Sequence, residues 1–275
     1  MRNIDQATVD GFGDEWSRFD QSALSAEERA AILGRYFQVF PWDRLGSDAV
    51  GFDAGCGSGR WAMEVAPRVG TLHCVDASDR ALAVARANLR EAKNVEFHHA
   101  SVEDLPFADA SMDFGYSLGV LHHAPDTAGG IAACARKLKP GAPLLVYLYY
   151  AFDNRPAWFR ALWKVSDVGR RVISRMPHAL RFATTQAIAA AVYWPLARSA
   201  RLLERVGVPV EDLPLSAYRD RSFYVMRTDA LDRFGTQLEQ RFTRDQIARM
   251  MTNAGLERIT FADWPHWCAL GYRRA

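Results

Sequence analysis

The chain is predicted to fold as an α/β protein, with strands and helices alternating around a mostly parallel sheet. Three observations carry that reading. The stretch VGFDAGCGSGRW, residues 50–61, sets an apolar run against a glycine-rich turn and then a helix start. Short apolar runs then alternate with amphipathic segments as far as Tyr149. Acidic residues, Asp53 and Asp76, close the first two runs, at the sheet edge where open α/β folds bind ligands.

The elements follow in order. Residues 1 to about 24 are polar but carry Phe12, Trp16 and Phe19, and read either as an arm pinned by three rings or as a lid. Ser25 to Glu28 reads as a capping box opening a helix that Pro41 ends. Strands are expected at about 49–53, 71–75, 95–98, 112–117 and 142–149, with helices at 60–66, 80–91 and 127–138. Residues 157 to about 206 are helical in pattern and rich in arginine and aromatic rings, and 207–242 read as a loop-rich linker. Thr243 to Gln246 is a second capping box, its helix closed by Gly255, and 256–262 and 266–273 read as the final strands. The chain thus divides into an N-terminal lid and helix (1–44), a core (45–150), a helical cap insertion (151–240) and a closing helix and strand pair (241–275).

Composition narrows the function. With 275 residues, 49% of them hydrophobic, the chain can bury a full core, and a net charge of +2 does not call for nucleic acid. Cys56, Cys74, Cys134 and Cys268 are scattered, with no Cys-x-x-Cys pair and no nearby His spacing that would hold zinc, so no metal is expected. They look like reduced cytosolic cysteines, and the polar N-terminus lacks a secretory signal; a cytoplasmic protein is expected.

The glycine-rich turn points to the ligand. Glycines let backbone N–H groups approach a ligand closely. The dinucleotide pattern Gly-x-Gly-x-x-Gly fails from Gly55, where Arg60 takes the third place, and is met from Gly57 only if Ala62 substitutes. Asp53, two residues before the first glycine, would repel a pyrophosphate but suit a ligand carrying an ammonium. Asp76 is placed to accept from ribose hydroxyls, which suits any adenosine ligand; its other reading is a cap for the next helix.

An acidic residue before Gly-x-Gly-x-Gly resembles the first motif of class I S-adenosylmethionine (SAM) methyltransferases. Leu105-Pro106-Phe107 and the Lys139-Pro140-Gly141 turn are similar to the type-11 group, which includes the quinone methyltransferases. The resemblance covers about 45–150 and 240–275. It implies a Rossmann-like, seven-stranded, mostly parallel sheet with helices on both faces, an antiparallel last strand, and a helical cap inserted after strand five. It implies SAM as cofactor and S-adenosylhomocysteine as product. Asp53, Gly55, Gly57 and Gly59 would hold the amino-acid part, Asp76 the ribose, Ser101 and Val102 the adenine, and Leu118 the methionine chain. Ser101 stands where the family carries Asp, and Glu103 or Asp104 could substitute.

The expected function is methyl transfer from SAM to a small or amphiphilic molecule. Candidates for a catalytic base are His123, Tyr150 and Tyr224, with Tyr149, Asp153 and His266 also at strand ends or in the cap. His122 reads more readily as shaping its loop. Trp16 and Phe19 in the lid, and Arg221 in the linker, are candidate acceptor contacts; similar FG-x-EW segments occur in many methyltransferases. The insertion reads as a cap over the acceptor, as a surface for anionic lipid, or as a nucleic-acid surface, the last without any recognisable module. The alternatives are a SAM-binding protein without methyl transfer, a lipid- or RNA-directed methyltransferase, and a nicotinamide-type oxidoreductase, which Asp53 opposes.

Overall fold

The computed structural model describes residues 3–153, 155–263 and 268–275. The chain forms two compact units. The first holds residues 1–22, 29–151 and 238–275; the second holds 23–28 and 152–237.

The first unit is built on a seven-stranded sheet. Its strands are β1 (Val50–Ala54), β2 (Thr71–Asp76), β3 (Val95–His99), β4 (Phe114–Leu118), β5 (Pro143–Tyr147), β6 (Leu256–Phe261) and β7 (Ala269–Arg273). The order is β3-β2-β1-β4-β5-β7-β6. The first five pair in parallel, and β7 runs antiparallel to both β5 and β6. The chain winds outward from β1 through β2 to β3, then returns to place β4 on the other side of β1. That reversal opens a crevice beyond the carboxyl ends of β1 and β4.

The β1–β4 pair interlocks through glycine. Gly51 faces Phe114 and Phe52 faces Gly115 in the register. Each phenyl ring fills the space that a Cβ on the facing glycine would need. Phe52, Phe114, Tyr116, Leu144 and Leu145 are wholly inaccessible to solvent, as expected for strands covered on both faces.

Helices α3 (Ala62–Val65), α4 (Asp79–Asn88) and α5 (Thr127–Lys137) connect the parallel strands, and α10 (Arg244–Asn253) precedes β6. Ser78 caps α4 and Asp126 caps α5, each accepting from the backbone three residues on. The Thr243–Gln246 capping box forms on α10. At α2 (Ala26–Tyr36) only half a box forms. Ser25 Oγ accepts from Glu28 N, while the Glu28 carboxylate accepts from Ser222 N rather than reaching back.

The N-terminal segment is more regular than its polar sequence predicts. Residues Gln6–Arg18 form a helix, α1, capped by Asp5 and packed on α4. Gly13 makes the close approach, since a Cβ there would meet the Ser78 hydroxyl, and Asp14 pairs with Arg80 at 3.5 Å.

The second unit holds α6 (Ala157–Ile173), α7 (His178–Ile188), α8 (Trp194–Arg205) and α9 (Phe223–Gly235), with a π-helical turn at Ala189–Tyr193. Helix α9 lies where a linker was expected. Ser222 caps it, and Val225, Met226, Ala230 and Leu231 turn inward. Ala189, Tyr193, Ala197, Met226 and Ala230 form its small core. Several arginines of the insertion serve this unit's own backbone. Arg170 donates to the carbonyls of Thr236 and Gln237 while pairing with Asp167 at 2.7 Å, Arg181 donates to Gly235 O, and Arg198 to the carbonyls of Arg219 and Arg221. Among the described residues no helix is long and apolar enough to cross a membrane.

Candidate active site

The site gathers at the carboxyl ends of β1, β2, β4 and β5. Beyond β1 the chain turns through Gly55, Gly57 and Gly59, all at positive φ (84°, 55° and 75°). At Gly57 the requirement is double, because a Cβ would also stand 2.8 Å from Trp16 Nε1. Gly55 N and Cys56 N both donate to Val75 O, and Gly57 N donates to Asp76 Oδ2 at 2.9 Å. The Ser78 N–H donates to the other Asp76 oxygen at 2.8 Å. Asp76 thus ties the glycine turn of β1 to the start of α4, with its side chain half-buried. Burial raises its carboxyl above the usual carboxylate range against the pull of these N–H donors.

Asp53 is the sharper anomaly. It is wholly buried, and neither carboxylate oxygen meets a hydrogen-bond donor in bonding geometry. Burial pushes its carboxyl well above the usual range; the nearby Tyr116 hydroxyl offsets part of this without forming a bond of proper geometry, and Asp76 adds repulsion. Arg60, at the end of the turn, contributes the attraction of a positive charge. Its guanidinium carbon lies 4.4 Å from the Trp61 ring centre and 5.7 Å from that of Trp16. Arg60 Nε is also buried without a partner. A buried carboxyl and a stacked cation therefore bracket the glycine turn, both with unmet bonding capacity. A zwitterionic amino acid fits this pair. Arg60 escaped the sequence reading, although a cation directly after the glycine run was its visible signal.

The loop after β3 carries the residues expected to flank adenine. Ser101 is buried and its hydroxyl accepts from Asp104 N at 3.3 Å, leaving Val102 half-buried beside it. Glu103 accepts from Asn3 N at 2.7 Å, so its carboxylate is engaged with the N-terminus. Leu118 ends β4 under cover, and Gly119 N donates to Tyr147 O at 3.1 Å.

His122 and His123 follow β4. The His122 ring is fully buried, stacked on Tyr149 at 3.8 Å, and burial drives its pKa well below the usual imidazole value. His123 Nδ1 lies 2.7 Å from Leu238 O. A carbonyl only accepts, so this bond places the proton on Nδ1 and leaves Nε2 as the basic nitrogen. Residues 238–242, read from sequence as linker, thus frame the site; Gln240 N donates to His122 O and Phe242 N to Tyr149 O. Tyr150 is buried, and its carbonyl accepts from Arg241.

Helix α1 spans this edge. Asn3 binds Asp126 through two hydrogen bonds, Phe12 sits 5.0 Å from the His123 ring, and Trp16 covers Gly57. Phe19 is only 2% exposed, at the helix end, so its burial fits the anchoring reading of the arm. Tyr224, Arg221 and the exposed Asp153 belong to the second unit. His266 lies outside the described residues.

Comparison with known proteins places this geometry. Residues 52–146 match the family model of a methyltransferase domain. The chain is 37% identical over 107 residues to the ubiquinone biosynthesis O-methyltransferase of Thiobacillus denitrificans, covering 38% of this chain and 44% of that protein. It is 32% identical over 167 residues to the 27-O-demethylrifamycin SV methyltransferase of Amycolatopsis mediterranei, covering 56% of this chain and 57% of that protein. Its fold is similar to that of an O-methyltransferase family protein from Burkholderia thailandensis, with a TM-score of 0.54 at 16% identity, covering 97% of this chain and 60% of that one. The chain spans between 39% and 60% of the first curated relatives it matches. Sheet order, glycine turn and these matches agree: residues 52–146 match a methyltransferase domain and are similar to the SAM-dependent methyltransferases of the type-11 group.

Proposed function

We propose that this chain transfers the methyl group of SAM to a hydroxyl oxygen of a small or amphiphilic acceptor. The observation that carries the reading is the His123–Leu238 hydrogen bond, which fixes an imidazole with a basic Nε2 at the end of β4. A hydroxyl acceptor needs its proton taken as the oxygen attacks. The named relatives, methyltransferases of ubiquinone biosynthesis and of 27-O-demethylrifamycin SV, support an oxygen acceptor.

Bound SAM supplies an electrophilic methyl on a sulfonium, whose sulfur keeps the C–S bonding pair as the methyl leaves. The chain's part is to bind, align and exclude water. Asp53 holds the ammonium of the amino-acid end and Arg60 its carboxylate. The glycine turn, its N–H groups engaged within the protein, would let that end approach the backbone closely; Asp76 would accept from the ribose, Ser101 and Val102 would flank the adenine, and Leu118 would line the methionine chain. His123 takes the acceptor proton on Nε2, and neutral His122, stacked on Tyr149, holds that ring in place. Helix α1, with Trp16, closes the edge. The test is incubation of the protein with methyl-labelled SAM and cell extract split into polar-metabolite, lipid and nucleic-acid fractions. Label on a hydroxylated metabolite or lipid supports the reading. Label in RNA or DNA, or SAM binding without any labelled product, overturns it.

A second reading concerns where the acceptor is met. Trp158, Leu162, Val165, Val168 and Val172 are all exposed, by 49–70%. At about 100° per residue they share one stripe of α6, roughly 120° wide. Arg160, Lys164 and Arg171, also exposed, line one flank of it. An apolar stripe with a basic flank suits the interface of an anionic membrane. Vesicles containing phosphatidylglycerol would bind the protein in low salt and release it in high salt. Equal recovery with neutral and anionic vesicles, or no effect of Leu162→Glu with Val165→Glu, would remove this reading.

A further inference from the structure

His73, Glu96 and His98 converge on the outer sheet face at β2 and β3. The register sets His73 directly opposite Glu96, and His98, two residues on, returns to the same face. His73 Nδ1 lies 3.0 Å from His98 Nε2 and 3.3 Å from Glu96 Oε2, and the last two atoms are 3.9 Å apart. The circle through these three atoms has a radius of about 2.0 Å, which is the bond length of a transition metal to imidazole nitrogen or carboxylate oxygen. We propose that this trio is a binding site for a divalent transition metal, Zn²⁺ or a congener, with water completing its coordination.

The surroundings are built for it. The Phe107 ring packs against both imidazoles, at 4.9 and 5.4 Å, and restricts their orientation. The His73 and His98 side chains are 13% and 26% exposed, so the trio faces solvent on one side and leaves room for water ligands. Two imidazoles and one carboxylate with an open position is a donor set used for zinc, and the carboxylate cancels part of the ion's charge. The ligands come from two strands, one of them the sheet edge. A bound ion would rivet β3 to β2, whose carboxyl ends carry Ser101 and Asp76. Linear spacing hides the set, because 23 residues separate His73 from the strand partner it meets.

The alternative for the same arrangement is a hydrogen bond between the two rings with no ion. Titration decides between them. Tag-free full-length protein, stripped with chelator, would be titrated with ZnCl₂ by calorimetry and with CoCl₂ by visible absorption. The expected result is one equivalent bound, a Co²⁺ spectrum of low coordination number, and a raised Tm that chelator reverses. His98→Gln and Glu96→Gln would each weaken binding by at least about tenfold, as loss of one ligand should. Glu96 is exposed, so its variant folds even if a histidine variant does not. Absence of saturable binding, or binding of unchanged affinity in Glu96→Gln, would overturn the proposal.

Discussion

Asp76 accepts the backbone N–H of Gly57 across the β1–β2 boundary at 2.9 Å, and its second oxygen accepts from Ser78 N. One carboxylate thus holds the glycine turn and the start of α4 at once. Asparagine at this position has only one oxygen, so Asp76→Asn must turn its NH₂ toward one of two N–H donors. The loss is about 1–3 kcal/mol of stability, the cost of a buried donor left unmet. Because Asp76 is also the proposed ribose acceptor, SAM affinity should fall by at least about tenfold. Thermal unfolding and calorimetric titration of the same variant separate the two effects.

Asp53 makes the opposite trade. Its folded carboxyl has a raised pKa against the usual 3.8. Between 3.8 and the raised value the folded protein keeps a proton that the unfolded chain has lost, so this group's contribution to stability declines as pH rises through that window. Asp53→Asn removes the buried charge and should raise the Tm of the ligand-free protein. On the proposed role it also removes the partner of the SAM ammonium, costing about 2–5 kcal/mol of binding. SAM affinity in the parent protein should grow as pH rises through the same window, with proton release measurable in buffers of different ionisation enthalpy. A variant both less stable and fully SAM-competent would contradict both halves.

Much of this site was legible in the sequence. The strand–turn–helix at 50–61 and Asp76 are local signals, written in apolar runs, glycines and acids; the alternation of elements followed from such signals, and the seven-stranded sheet with its antiparallel last strand from the family resemblance they carry. What escaped was written across distance. Leu238 meets His123 over 115 residues, and no local pattern announces a carbonyl partner. Helix α9 was hidden because Pro209, Pro214 and a run of Arg and Tyr read as linker, while its inward residues Met226 and Ala230 pack with Ala189, Tyr193 and Ala197, far from them in sequence. Helix α1 has two interior glycines and a polar face, so its propensity is poor; its Asp5 cap and the contact of Gly13 with Ser78 supply what propensity does not.

Trp16 should act on exchange rather than on chemistry. Its ring covers Gly57 and faces the Arg60 guanidinium. Trp16→Ala leaves the sheet untouched but uncovers the turn. SAM dissociation should quicken by about five- to thirtyfold, the loss of one aromatic and cation–π contact of about 1–2 kcal/mol. Stopped-flow dissociation with S-adenosylhomocysteine as competitor reads this directly. An unchanged off-rate would mean that α1 is an anchor and not a lid.

His123 and His122 sit side by side, with ring centres 4.0 Å apart, yet they should answer to different tests. His122 is neutral in the folded protein, with a pKa well below the usual 6.5. As pH falls from 6.5 toward that lowered value, the unfolded chain takes up a proton that the folded one refuses, so this residue makes the protein less stable in acid. His122→Asn should flatten that acid loss and, by disturbing the stack on Tyr149, cost some basal stability. His123→Gln should instead leave stability within about 1 kcal/mol, because the amide NH₂ of Gln can still donate to Leu238 O. It lacks a basic nitrogen, so kcat should drop by about 10²–10⁴-fold with SAM affinity unchanged. A His123→Gln enzyme that keeps its rate would move the base elsewhere on the carboxyl edge, or show that the acceptor gives up its proton without one.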